Sequence, residues 1–207
     1  MGEKLIRERI LLFAILALLL AYLLGSISFS YLMGKLSKGI DVRQHGSGNA
    51  GATNTLRVLG LGPALTVLAL DIGKGVLAVW IGKWMADDLW VAVLCGILAI
   101  AGHNWPIYFS FRGGKGIATT IGVTVTLCPI PFLIAGGLAI VIVAVTKYVS
   151  LGSLVFTGLL PVIVLLMNGS SEIVWASLVL AVLAWYRHRS NIAKLLRGEE
   201  NKLGKKA

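Results

Sequence analysis

Three observations predict an all-α, polytopic membrane protein with seven transmembrane helices, its N-terminus outside and its C-terminus cytoplasmic. Hydrophobic residues make up 57% of the 207 and charged residues 14%, against roughly 45–50% and about 25% in soluble domains. Mean hydropathy is +0.86, and several apolar runs exceed the roughly 18 residues that suggest a span. Five of the six tryptophans (Trp84, Trp90, Trp105, Trp175, Trp185) fall near the ends of those runs, where interfacial rings collect. The whole chain, 1–207, reads as one integral-membrane domain.

The first helix is expected over 9–36. Its apolar stretch opens after Lys4, Arg7 and Arg9, runs through Leu24 and resumes to Met33. That is longer than a signal h-region, so it reads as an uncleaved helix. Helices over 58–83 and 89–108 follow. The first of these carries Asp71 and Lys74, three residues apart inside apolar sequence. Ionisable residues at membrane depth default to function, and an intrahelical pair that holds a loop is the expected role. Helices over 117–128 and 131–146 are divided at Pro129 and Pro131, where a single kinked helix is the alternative. Helices over 150–168 and 172–187 complete the set. Cys95 and Cys128 lack any metal-ligand spacing and read as core packing.

Charge decides between seven spans and six. With seven, one side holds Lys4, Arg7, Arg9 and Lys83, whereas the other holds fourteen cations. These are Lys35, Lys38, Arg43, Arg57, Arg112, Lys115, Lys147 and the seven from Arg187 onward. Six spans reduce the bias to twelve against six. The fourteen are assigned to the cytoplasm by the positive-inside rule. The net charge of +10 suits anionic lipid at the tail, and the apolar composition excludes nucleic acid as a partner.

Three segments then converge on one face. In "HGSGNAGATNTLR", residues 45–57, Gly46, Gly48 and Gly51 permit tight turns. Ser47, Asn49, Thr53 and Asn54 offer neutral donors, and Arg57 closes the stretch with a phosphate-matching fork. In "FRGGKG", residues 111–116, glycines let backbone amides approach an anion, Lys115 adds a point charge and a helix N-terminus follows. It is not a nucleoside triphosphate loop, because Gly116 stands where that motif needs Ser or Thr. In "RHRSN", residues 187–191, His188 and Asn191 share a face if the helix continues. Neighbouring arginines favour the neutral imidazole, which can orient a hydroxyl or accept a proton. Arg187 and Arg189 suit lipid headgroups, and His103, beside Trp105-Pro106, reads as structural. No carboxylate cluster for a metal is visible: of nine acidic residues only Asp41 lies in the first loop and none in the second.

These motifs, with "GSISFSYLMGK", "DIGKG", "HNWPIYFSFRGGKGIAT" and "RHRSNIAKLLRGEE" in order, resemble the bacterial acyl-phosphate:glycerol-3-phosphate acyltransferase (PlsY) family over nearly the whole chain. Ser28 stands where that family usually has proline, and Lys194 where it often has arginine. The resemblance implies a seven-helix fold in the bacterial plasma (inner) membrane with the active site facing the cytoplasm. It implies transfer of a fatty acyl group from acyl phosphate to the 1-hydroxyl of glycerol 3-phosphate, giving lysophosphatidic acid and phosphate, without metal or cofactor. It also implies Ser47, Arg57, Lys115, His188 and Asn191 as catalytic or substrate-binding residues. In that chemistry Lys115 and the amides of Gly113, Gly114 and Gly116 hold the donor phosphate. Arg57 binds a phosphate, with Asn49 and Asn54 beside it. Ser47 hydrogen-bonds the donor or the developing oxyanion, and His188 and Asn191 position the acceptor hydroxyl. Either His188 or a substrate phosphate takes the proton. The alternative from another class is a transporter for a phosphorylated anion, which also uses cationic loops and broken helices. It needs a site near the midplane, and only Asp71 and Lys74 lie there.

Overall fold

Ten α-helices and two 3₁₀ turns form the regular structure of the computed structural model, which describes residues 2–204. Lys205 and Lys206, counted among the tail cations, lie outside the described residues. Apolar runs become helices because a bilayer core offers no partners, so each backbone group must be satisfied within its own segment. The helices are α1 (Gly2–Gly25), α2 (Phe29–Lys38), α3 (Ala52–Leu59), α4 (Leu61–Ala86), α5 (Leu89–Asn104), α6 (Ile117–Leu127), α7 (Pro129–Thr146), α8 (Val149–Leu166), α9 (Ser171–Arg187) and α10 (Arg189–Leu196). No strand occurs among the described residues. Five segments are long and apolar enough to cross a membrane: Ile6–Lys38, Leu61–Ala86, Leu89–Phe109, Pro129–Thr146 and Val149–Leu166. Of the other two expected spans, α9 has 17 residues. α6 has 11, about 16 Å at 1.5 Å per residue, half of a roughly 30 Å hydrocarbon core.

Four boundaries differ from the sequence reading, each for a local reason. The helix expected over 9–36 is two helices. Ser26 turns both its N–H and its hydroxyl onto the Tyr22 carbonyl at 2.9 Å, and Ser28 is extended. The freed Ile27 carbonyl accepts the Lys74 ammonium of α4 at 2.9 Å, so a buried cation stabilises the break. The stretch 45–57 is a loop only as far as Gly51, whose carbonyl accepts the first amides of α3, from Asn54 and Thr55. Thr53, Asn54 and Arg57 are therefore helical. Gly60, at φ 93°, separates α3 from α4, a conformation side chains disfavour. Finally, the chain turns at His188 into a separate helix, α10. The division at Pro129 is as expected: that proline opens α7, where its missing N–H costs no bond.

α4 is the centre of one group, packed on α1, α5 and α6, while α7, α8 and α9 form a second group joined to the first through α5–α9 and α6–α7. Small residues let the helices approach, as van der Waals packing in lipid requires. A Cβ on Gly75 would strike the Thr119 carbonyl, and one on Gly122 the Ile72 carbonyl, so α4 and α6 cross backbone to backbone. Ala17, Ala21, Ala78, Cys95 and Ala99 seal α1 against α4 and α5. Cys128, Ala135, Phe156, Leu160 and Val164 fill the α7–α8 seam. Both cysteines are free and buried. Leu133, Ile140 and Val145 of α7 face outward, which suits lipid.

Candidate active site

A cavity of about 380 Å³ opens where α3, the first turns of α4, α6 and α8, the α9–α10 junction and the tail meet. Ser47, Asn49, Asn54, Arg57, Lys115, Gly116, His188 and Asn191 all line it. Segments far apart in sequence thus converge on one end of the bundle. Apolar side chains of α3 and α4 (Leu56, Leu61, Leu65, Leu68), with Ile117 and Ile121 of α6, continue the cavity as a greasy slot.

The first loop is built around Asn54, which is 1% exposed. Its Oδ1 accepts the Ser47 N–H at 2.8 Å and the Ser47 hydroxyl at 3.1 Å. Its Nδ2 donates to the carbonyls of Val42 and His45 at 2.9 and 3.1 Å. Gly46 and Gly48, at φ 60° and 72°, let the chain fold around that amide. Asn54, expected among the substrate-binding residues, thus engages both its amide groups in the loop that holds Ser47. Arg57, one turn further along α3, faces the cavity with no ion-pair or hydrogen-bond partner for its guanidinium among the described residues.

The second loop is fastened from outside the cavity. The Gly114 N–H donates to the His103 carbonyl at 3.0 Å. The Arg187 guanidinium donates to the Gly113 carbonyl at 3.0 Å and to the Gly114 carbonyl at 3.0 and 2.6 Å, lying 5.5 Å from the Trp105 ring. Gly113 and Gly114 do not line the cavity, because this turn is pressed against α5: a Cβ on Gly113 would strike the His103 carbonyl. Both glycines let the turn close, and the Gly114 N–H, expected at the donor phosphate, is bonded to the His103 carbonyl. Arg187, read as a headgroup contact, is the clasp of this loop. Gly116, at φ 80°, does line the cavity and opens α6, whose first amides favour an anion.

Lys115 projects from that turn and donates to Asn191 Oδ1 of α10. Asn191 Nδ2 donates to Glu200 Oε1 at 2.8 Å, and the same carboxylate oxygen accepts the Ser150 hydroxyl at 2.9 Å. Burial pushes the Lys115 ammonium down to about 8; Glu200 opposes this, and Arg57, Arg187 and Lys194 add to it. His188 is 3% exposed, and burial, with Lys115 nearby, pushes it down to about 4. Its Nδ1 lies 2.8 Å from the Ala184 carbonyl. A carbonyl only accepts, so Nδ1 carries the proton and Nε2 is left as an unprotonated acceptor toward the cavity. Cations thus surround a neutral acceptor, which suits an anionic substrate bearing a hydroxyl.

The sequence reading missed Ser150, Ser153, Lys194, Glu200 and Asn201, which also line the cavity. Ser150 and Ser153 are two serines on an otherwise apolar helix and give no signal. Glu200 lies within the quoted tail motif but had no role until the chain was folded. No group of His, Cys, Asp and Glu able to hold a metal occurs among the described residues.

Known proteins share this sequence and fold. The family described as glycerol-3-phosphate acyltransferase matches residues 15–198. A protein of that name from Halalkalibacterium halodurans is 54% identical over 90% of this chain and 93% of its own length. Another from Shouchella clausii is 52% identical over 93% and 97%. The solved glycerol 3-phosphate form of PlsY, an integral membrane glycerol 3-phosphate acyltransferase, matches with a TM-score of 0.87 and 38% identity, covering 92% of this chain and 96% of that one. Its lysophosphatidic acid form matches at 0.85 and 37%. By sequence over nearly its full length and by fold, this chain belongs to the integral-membrane glycerol-3-phosphate acyltransferase family of PlsY.

Proposed function

We propose that this protein acylates the 1-hydroxyl of glycerol 3-phosphate with acyl phosphate as donor, releasing lysophosphatidic acid and inorganic phosphate. The observation that carries this is one cavity holding an unpaired Arg57, a half-buried Lys115 and a neutral His188 Nε2 beside an apolar slot. Both substrates present phosphate, and the slot suits an acyl chain.

In this reading the His188 Nε2 accepts the hydrogen bond of the acceptor hydroxyl and aims its oxygen at the acyl carbon. A new C–O ester bond forms first, and the C–O bond to the leaving phosphate then breaks. Ser47 and the amides opening α6 stabilise the oxyanion between those events, where preorganised donors contribute most. Lys115 and Arg57 neutralise charge on the phosphates. Asn191, tied to Glu200, keeps Lys115 in place. An imidazole held near 4 is a weaker base than a phosphate dianion, whose conjugate acid has a pKa of ~6. The hydroxyl proton therefore leaves with the departing phosphate, and His188 orients.

The same reading takes seven spans in a bacterial inner membrane, N-terminus outside, with the cavity on the cytoplasmic side. Charge asymmetry supports it, and so does chain parity. Lys115 and Ser150 line one cavity, yet α7 alone would carry the chain to the other end, so α6 must return it despite having 11 residues. A short α6 fits a loop that enters the membrane before the helix starts. Single cysteines at Ser47, Ser110 and Ser190, in a background lacking Cys95 and Cys128, test this orientation. They are expected to react only with reagent admitted to the cytoplasm; labelling from outside intact cells contradicts it. The activity is tested by phosphate release from palmitoyl phosphate that depends on glycerol 3-phosphate.

A further inference from the structure

Below the cavity lies a buried group that the mechanism above does not use. The Lys74 ammonium, 3% exposed, lies 2.8 Å from Asp71 Oδ1, 2.9 Å from the Ile27 carbonyl and 2.9 Å from His103 Nδ1. An ammonium has three protons and no lone pair. The Ile27 carbonyl, an acceptor only, takes one of those protons, while Asp71 Oδ1 faces the ammonium as an ion pair and lies 3.5 Å from His103 Nδ1. Nδ1 lies closer to the ammonium, at 2.9 Å, than to that carboxylate, and a nitrogen that accepts from an ammonium is the bare nitrogen of a neutral ring. The proton of that ring sits on Nε2.

His103 Nε2 lies against the α-carbon of Gly114, so closely that a Cβ there would strike it, and His103 lines the cavity together with Asp71. Nε2 has no hydrogen-bond partner among the described residues. Asn104 and Thr119 hold fully enclosed unpaired polar atoms, as does Asp71 apart from its ion pair, whereas His103 Nε2 is not among these enclosed atoms. Nε2 is thus not fully enclosed, and the residue that carries it lines the cavity. An N–H donor left unpaired at the wall of a cationic pocket lacks an acceptor until one arrives, and such a group is worth most when the ligand supplies an anionic oxygen.

We infer that His103 is a second histidine of the site, a neutral Nε2–H donor to a substrate phosphate oxygen, with its tautomer fixed by Lys74. The two cavity histidines are then locked in opposite tautomers. His188 donates Nδ1–H to Ala184 and offers an acceptor to the hydroxyl, whereas His103 accepts from Lys74 and offers a donor to the phosphate. Lys74 is a positioning residue, acting through His103 and through the Ile27 carbonyl. This rests on the acyl-transfer reading for the identity of the phosphates, not for the tautomers.

The experiment is ¹⁵N NMR of the purified protein labelled at histidine, with its three imidazoles assigned by His45→Gln and His188→Gln variants. His103 is expected to show Nε2–H with bare Nδ1, and His188 the reverse. Adding inorganic phosphate or glycerol 3-phosphate is expected to shift the His103 Nε2–H signal. In kinetics, His103→Leu raises KM for glycerol 3-phosphate or for palmitoyl phosphate by about 10- to 100-fold, the range for a hydrogen bond to a charged group. The substrate affected identifies whose phosphate is held. His103→Gln, which keeps an amide donor, is expected to recover most of that loss. An Nδ1–H tautomer at His103, or unchanged KM for both substrates in a folded His103→Leu protein, overturns the inference. Absence of turnover from acyl phosphate in the parent protein would instead count against the acyl-transfer reading, leaving the tautomer result standing.

Discussion

Arg187→Met tests whether the glycine turn is held from outside the cavity. Three hydrogen bonds from one guanidinium fix the carbonyls of Gly113 and Gly114, the two residues before Lys115. Releasing them frees two backbone units that must be ordered again in each transition state. At about 1–2 kcal/mol per residue, the penalty is about 2–4 kcal/mol, or roughly 30- to 1,000-fold in kcat/KM. The assay is phosphate release from palmitoyl phosphate by purified variants matched for thermal stability. Arg187→Lys should recover only part of the loss, because an ammonium cannot span two carbonyls as a planar fork does. The decisive comparison is a double mutant with Lys115→Met. If Arg187 acts through Lys115, its removal has little further effect once Lys115 is gone. Fully additive losses, or an Arg187→Met enzyme within twofold of the parent, would refute the clasp.

Lys115→Met itself is expected to lower kcat by about 10²–10³-fold, as loss of one preorganised donor to a developing anion does. Because burial holds Lys115 near 8, its cation is present below that pH and lost above it. kcat/KM is therefore expected to fall as pH rises through about 8, and any residual activity of Lys115→Arg should lack that limb. His188 near 4 stays neutral throughout, so no break from it is expected between pH 5 and 7. His188→Gln, which keeps hydrogen bonding without basicity, should retain more activity than His188→Leu; equal, complete loss in both would restore a proton-accepting role. Asn54→Ala removes four hydrogen bonds around Ser47 and is expected to lower both thermal stability and kcat.

Apolar runs were enough to read the long apolar helices, since backbone satisfaction in lipid leaves few alternatives, though not the short polar α3 and α10. What escaped was whatever depends on side chains meeting across the bundle. The break at Ser26–Ser28 lies in an apolar run, and its stabiliser, Lys74, is 47 residues away. Asn54 looked like a ligand because a neutral amide after glycines is a donor in any context; only its four partners assign it to the loop. Gly113 and Gly114 looked like an anion cradle for the same reason; folded, their carbonyls accept from Arg187 and the Gly114 N–H bonds the His103 carbonyl. His103 read as structural beside a Trp-Pro pair, although it lines the cavity. Glu200 acquires meaning through Asn191 and Ser150, contacts between elements up to 50 residues apart.

The donor is the central claim, and competition between donors tests it most directly. Glycerol-phosphate acyltransferases that take acyl-CoA or acyl carrier protein use a histidine followed five positions later by aspartate. Here Ala50, Tyr108 and Ala193 follow His45, His103 and His188 at that distance. The purified protein should be given glycerol 3-phosphate with either palmitoyl phosphate or palmitoyl-CoA, in a preparation free of other acyltransferases and without added metal. Lysophosphatidic acid and inorganic phosphate formed in equal amounts from palmitoyl phosphate, and no product from palmitoyl-CoA, is the result predicted. Robust lysophosphatidic acid formation from palmitoyl-CoA alone would contradict it.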